Sequence, residues 1–436
     1  MSYAMASRLW QIPAGMVTTL LIALFFDPAE QGVYYLIVTL TGLQALADAG
    51  LINTLLHAAS HEAAGSRLDQ HGFFRARSRA RARLAGMLRF GVYWFLAASV
   101  LLVVLGGIAG LVLFARQGVI ELAAAPLLVA MLLAGIGLLL SPLVAILEGC
   151  NQVHTVNRFR LGQVISGSFV VWACLASGFG LWAAAAAIAT QLAWELGLIL
   201  IRYRKFFAQL IRTRPQHFDW RHEIWPLQWR IGFQSVVRYL AFLPILPVLF
   251  DSQGPEVAGR YGMTWQVISN LLMVAYVYVR TRSPEFGRLI AENRRPESNA
   301  AFLRATVGST GLLLIMSLGF CAALALLNQL NLPLAQQISG RFLSPLTCLC
   351  FALAVLPIHT TQCFALHIRS QRFDPIWRVN LPACGSLAVL TFFAARAGAV
   401  VWIAAAMGLV FSLSTIALAA MWNWYRVYFD SAEQSE

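Results

Sequence analysis

Three ionisable residues stand inside stretches that are otherwise apolar: Asp48, Glu195 and Arg238. A charge at the centre of a membrane helix costs about 2.5–3.5 kcal/mol on insertion scales, so such residues are rare unless they face a cavity or a partner. A carboxylate in that setting can take up and release a proton or a sodium ion, which makes Asp48 and Glu195 the ion-coupling candidates. A guanidinium can hold an anionic substrate, and Arg238 leads the substrate-binding candidates. The competing reading is a structural ion pair, Arg238 with Asp48 or Glu195. Amides at Gln11, Asn53, Gln266 and Asn270 add polar surface, either as lining of a substrate cavity or as hydrogen bonds between helices. His57, His359 and His367, placed near helix ends, are further groups able to carry a proton. There is no glycine-rich nucleotide loop, no Cys/His set at metal-ligand spacing and no catalytic triad order, so no enzyme, metal or cofactor is expected. The seven cysteines, Cys348-Leu-Cys350 among them, lie in or beside apolar segments and read as core residues.

Composition dictates the elements that must position these groups. Hydrophobic residues are 59% of the 436 and charged residues 12%, whereas a soluble domain carries about 25% charged residues. Too little polar surface remains to cover a water-facing exterior, so lipid is the solvent for most of the chain. Lipid satisfies no backbone polar group, and the apolar runs are continuous rather than alternating, so the spans are helices and not barrel strands. One crossing takes roughly 20 apolar residues. Runs bounded by charged residues, Pro or Gly predict twelve helices, near 7–26, 33–57, 89–114, 119–147, 156–177, 181–202, 229–250, 259–280, 302–328, 341–367, 376–395 and 398–422. Arg8 precedes the first, with no small-residue cleavage site behind it, so it reads as a retained span.

The basic residues test that count. With the N-terminus inside, 27 of the 32 fall in cytoplasmic segments, Arg158 and Arg160 among them, and only Arg116, Arg260, Arg341 and Arg396 fall outside. Lys and Arg gather in cytoplasmic loops, and one helix missed or added would destroy the split. Both termini are therefore expected to be cytoplasmic, and the net charge of +13 needs no nucleic acid to explain it. The run Arg75-Ala-Arg-Ser-Arg-Ala-Arg-Ala-Arg83, in a loop near 58–88, is an orientation signal that also touches anionic membrane lipids. The basic, Trp-rich stretch 203–228 has the character of an interfacial helix.

The chain also repeats. Phe26-Asp-Pro-Ala-Glu-Gln-Gly-Val-Tyr34 is echoed by Phe250-Asp-Ser-Gln-Gly-Pro-Glu-Val-Ala-Gly-Arg-Tyr261, and Ser60-His-Glu62 by Ser283-Pro-Glu285. Parallel repeats of six helices follow: an N-terminal lobe at 1–202, a linker at 203–228, a C-terminal lobe at 229–422 and a tail at 423–436. Pro244 and Pro247 mark a bend in the seventh helix. Gly106 and Gly110 form a close-packing G-x-x-x-G face.

The segments Arg8-Leu-Trp-Gln11, Asp27-Pro-Ala-Glu-Gln-Gly-Val-Tyr-Tyr35, Leu43-Gln44 and Ala59-Ser-His-Glu62 resemble the opening of bacterial polysaccharide exporters related to O-antigen flippases. Those exporters belong to the multidrug/oligosaccharidyl-lipid/polysaccharide (MOP) superfamily. The motifs cover about the first 62 residues. Beyond them the resemblance is one of architecture: an all-α polytopic membrane protein with about twelve transmembrane helices in two six-helix lobes, MATE/flippase-like. It implies alternating access in the bacterial inner membrane, moving an undecaprenyl-diphosphate-linked glycan from the cytoplasmic to the periplasmic leaflet. It also implies cationic cavity residues for the diphosphate, a role Arg238 matches. A multidrug antiporter of the same superfamily, a membrane-embedded glycan-assembly enzyme and a scaffold are the alternatives.

Overall fold

Each apolar run becomes a helix, and the helices end where the sequence supplies Gly, Pro or charge. In the computed structural model residues 3–48, 50–68, 73–216, 219–220, 225–371 and 375–433 are described, and the side chain of Arg238 lies outside that description. The chain divides into two compact units, Met1–Tyr239 and Leu240–Glu436.

In the first unit, α1 (Tyr3–Phe25) is followed by α2 (Pro28–Thr41), α3 (Gln44–Asp48) and α4 (Leu51–Glu62). A two-residue hairpin, β1 (Arg67–Leu68) with β2 (Phe74–Arg75), precedes α5 (Ser78–Arg116) and α6 (Ile120–Leu147). A turn through Cys150 and Asn151 leads into α7 (Val153–Ala176), and α8 (Trp182–Leu196) runs on through a π-helical segment, Gly197–Arg202, to the short α9 (Arg204–Arg212). Then come α10 (Trp225–Phe242) and, in the second unit, α11 (Ile245–Gln253), α12 (Pro255–Arg280), α13 (Ser283–Ala291), α14 (Arg295–Gln329), α15 (Pro333–Gly340), α16 (Pro345–Ser370), α17 (Trp377–Arg396) and α18 (Val401–Glu433).

Among the described residues, nine helices are long and apolar enough to cross a membrane. One of these, Ile120–Ala176, contains two helices of the sequence reading, because Asn151 with φ of 64° turns the chain between α6 and α7. The remaining differences are broken spans. The second helix is not the single rod expected at 33–57. It breaks after α2 and again at Gly50, whose φ of 76° suits glycine alone without strain. The seventh, expected at 229–250, parts at Pro244 into α10 and α11, since proline cannot continue a helix ladder. The arginine run was also expected to lie wholly in a loop. Instead α5 starts at Ser78, and Arg83 pairs with Glu62 at 2.6 Å.

Local signals explain the starts. Pro28 and Pro255 occupy first-turn positions, where no N–H is needed. Glu30 Oε2 accepts the Asp27 N–H at 3.0 Å, as in a capping box. The Asp-Pro-Ala-Glu motif is therefore at least a helix start. The G-x-x-x-G expectation holds: a Cβ on Gly106 would run into Met131, and one on Gly110 into Leu127, so the pair lets α5 and α6 lie close together.

Candidate functional site

The first unit contains an open cavity of about 450 Å³. Its wall takes Ser7 and Gln11 from α1, Gln44 and Asp48 from α3, Ser141 from α6, and Glu148 from the turn that follows. Phe159, Arg160 and Gln163 come from α7, and Gln191, Trp194 and Glu195 from α8. Three of the sequence candidates, Gln11, Asp48 and Glu195, thus meet in one place.

Their chemistry is not uniform. Asp48 Oδ1 accepts the backbone N–H of Ile52 at 2.8 Å, across the break at Gly50, and so supplies an acceptor to the exposed start of α4. Glu195 accepts from Gln191 Nε2 at 3.0 Å and feels the positive charge of Arg160. Arg160 itself is bonded to Glu148 at 2.5 Å, with the Glu148 side chain 10% exposed and that of Arg160 48%. Trp194 Nε1 donates to Ser166 Oγ at 2.8 Å, and Phe159 meets its ring edge-on at 5.6 Å. The indole can lie this close to α7 because residue 162 is glycine: a Cβ there would stand 2.5 Å from the ring. Within the described residues, the side-chain amides of Gln11, Gln44 and Gln163 make no hydrogen bond. Among the described residues the cavity therefore offers free donors and acceptors, an aromatic wall, and three carboxylates against one guanidinium.

Sequence reasoning missed the Glu148–Arg160 pair because Arg160 was counted only as one of the basic residues at a helix start; it projects from α7 and reaches Glu148. The signal was available, a carboxylate and a guanidinium flanking a short turn between two apolar runs. Gln163 and Gln191 were missed although they satisfy the rule that selected Gln11.

Gln266 and Asn270 lie in the second unit, where Gln266 Nε2 donates to Asn270 Oδ1 at 3.3 Å along α12. His359 and His367 are both buried core residues of α16, His359 in its interior and His367 in its last turn. His359 shares a hydrogen bond with Ser309 at 2.8 Å. His367 accepts from Trp422 Nε1 at 3.0 Å and stacks on Phe302 at 4.4 Å. Asn53 and His57 are exposed on α4. Of the cysteines, five are buried and Cys174 and Cys350 half-buried. Among the described residues no group of three His, Cys, Asp or Glu is arranged to hold a metal ion.

The fold defines a class: an all-α polytopic membrane protein of MATE- and MurJ-like transporter architecture. Its structural neighbours are transporters of the MOP superfamily. One is a multidrug resistance MATE family transporter in an inward-facing conformation, with TM-score 0.69 and 15% identity over 100% of both chains. Another is the lipid II flippase MurJ, inward closed, with TM-score 0.65 and 11% identity, covering 95% of this chain and 86% of that one. A third is a MOP superfamily transporter from Pyrococcus furiosus described as having a binding pocket of reverse polarity, with TM-score 0.52 and 14% identity over 97% and 93% of the two chains. At such identities the likeness is one of fold. No protein-family model and no curated protein matches the sequence.

Proposed function

We propose that this chain is a transporter that moves a lipid-linked oligosaccharide or polysaccharide precursor across the cytoplasmic membrane by alternating access. The observation that carries this reading is the cavity of the first unit, where the unengaged amides of Gln11, Gln44 and Gln163 share a wall with Trp194. Sugar hydroxyls both donate and accept, as carboxamides do, and the C–H face of a sugar ring packs on an aromatic wall. The cavity volume lies in the usual ligand range of roughly 300–1,000 Å³. The exporter-like opening motifs support the same substrate, an undecaprenyl-diphosphate-linked glycan. In this scheme Arg238 serves the diphosphate and Glu195 carries the coupling proton or sodium ion. The distribution of basic residues supports cytoplasmic termini in the inner membrane.

One observation favours a second reading, a multidrug antiporter: among the described residues, three carboxylates against one guanidinium make a field suited to a cation. The two readings separate in cells whose only copy carries Gln11→Leu and Gln163→Leu. The glycan reading expects lipid-linked precursor to accumulate on the cytoplasmic leaflet, with surface glycan lost and efflux of a cationic dye unchanged. Lost dye efflux with normal surface glycan would replace it with the second reading.

A further inference from the structure

Outside the cavity, the strongest unassigned feature is a basic surface assembled from two segments far apart in sequence. Gln209 on α9 makes two hydrogen bonds to the backbone of Phe74 in β2, accepting its N–H at 3.0 Å and donating to its carbonyl at 3.3 Å. Phe74 is buried against Phe206 of α9, with ring centroids 5.5 Å apart. Arg89 Nη2 on α5 donates to the Ile211 carbonyl at 3.3 Å. The hairpin, the start of α5 and α9 are thereby held as one surface. Its outward residues are cationic: Arg75, Arg77 and Arg79 on the hairpin side, Lys205, Arg212 and Arg214 on the α9 side, all exposed. Neither 73–89 nor 202–216 contains an acidic residue. Large apolar side chains stand among these charges, Phe73 at 46% exposure beneath the Lys205 ammonium and Ile211 at 64%.

We infer that this surface is a binding site for anionic phospholipid headgroups. Placement argues for that occupant over a soluble one. A single residue, Tyr203, separates the membrane-crossing helix Trp182–Arg202 from α9, so the short helix starts at the edge of the bilayer. Cations around exposed aromatic and aliphatic side chains match that level, where the apolar groups enter the acyl boundary and the charges meet phosphate. The site also has a physical route to the cavity. Tyr203, at the start of α9, donates its hydroxyl to Gln152 Oε1 at 2.7 Å, on the turn that carries Glu148, while the chain just before it carries Glu195.

The test uses the full-length protein, purified in neutral detergent and titrated with phosphatidylglycerol or phosphatidylcholine while native mass spectrometry counts bound lipid. Phosphatidylglycerol should be preferred. The preference should fall roughly fivefold for each basic residue neutralised in the series Arg77→Gln, Arg79→Gln, Lys205→Gln and Arg212→Gln. A matched series in the second unit, Arg282→Gln, Arg288→Gln and Arg304→Gln, should leave it in place. For the unsubstituted protein, binding should weaken in about 1 M salt, where the screening length is roughly 3 Å. No preference for the anionic lipid, or equal loss in both series, would overturn the assignment. The readout is independent of any transported substrate.

Discussion

Gly162 is the position at which packing and cavity shape can be separated by one methyl group. A Cβ at residue 162 would lie 2.5, 2.8 and 3.0 Å from three carbons of the outer ring of Trp194. Relief requires the indole to move by about 1 Å, and its hydrogen bond to Ser166 and the Phe159 ring resist that shift. Overpacking of this kind costs about 1–3 kcal/mol. Alanine returns about 1 kcal/mol through its better helix propensity. Gly162→Ala should therefore destabilise by up to about 2 kcal/mol and, under the proposed function, lower transport by pushing Trp194 into the cavity. Trp194→Phe removes the clashing atoms, so adding Gly162→Ala to it should cost nothing or slightly stabilise. The double-mutant coupling should then reach roughly 1–3 kcal/mol. Apparent Tm, taken at one scan rate in one detergent, ranks the four proteins. A Gly162→Ala penalty of the same size with and without the indole would show that the ring is not what the glycine accommodates.

Two further substitutions test single contacts. Asp48→Ala should cost about 1 kcal/mol by removing the acceptor at the start of α4, while Asp48→Asn should keep stability and, under the proposed function, transport; loss of transport in the Asn variant alone would assign Asp48 to ion coupling. Ser309→Ala leaves the buried His359 ring without its 2.8 Å partner, so a stability loss of about 1–3 kcal/mol is expected, and an unchanged Tm would show that the pair contributes nothing.

Helix positions were legible because lipid leaves the chain few choices: a run of apolar residues becomes a helix wherever its backbone would otherwise be unsatisfied. The failures have local causes. Gly50 gave no warning at the composition level, since an isolated glycine within a helical run is tolerated. Pro244 did give warning, and the break came there. At the cavity, Asp48 and Glu195 were visible as charges in apolar runs, whereas Arg160 was hidden by lying next to Arg158 at a helix start, where arginine is ordinary. Whether a residue at a boundary turns inward depends on how the neighbouring helices pack, and hydropathy carries no information about that.

The cavity's three carboxylates share a feature that hydropathy does not express: each sits beside an irregularity of the backbone. Asp48 ends α3 two residues before Gly50, Glu148 begins the turn containing Asn151, and Glu195 lies two residues before the π-helical segment at Gly197. Irregular backbone at membrane depth is tolerated only where protein or a watery cavity satisfies the freed groups. The carboxylates and the loosened backbone therefore need the same environment, and each helps provide it for the other. Asp48 shows the exchange directly, by accepting the Ile52 N–H that the broken helix leaves free. Such breaks are also where small φ/ψ changes are least costly, because there is less ladder to disrupt. A proton or cation arriving at Glu195 would weaken the hold of Arg160 at a place where the helix is already π-wound. Under the proposed function, with Glu195 as the coupling site, the stretch from Trp194 to Tyr203 is the element expected to move.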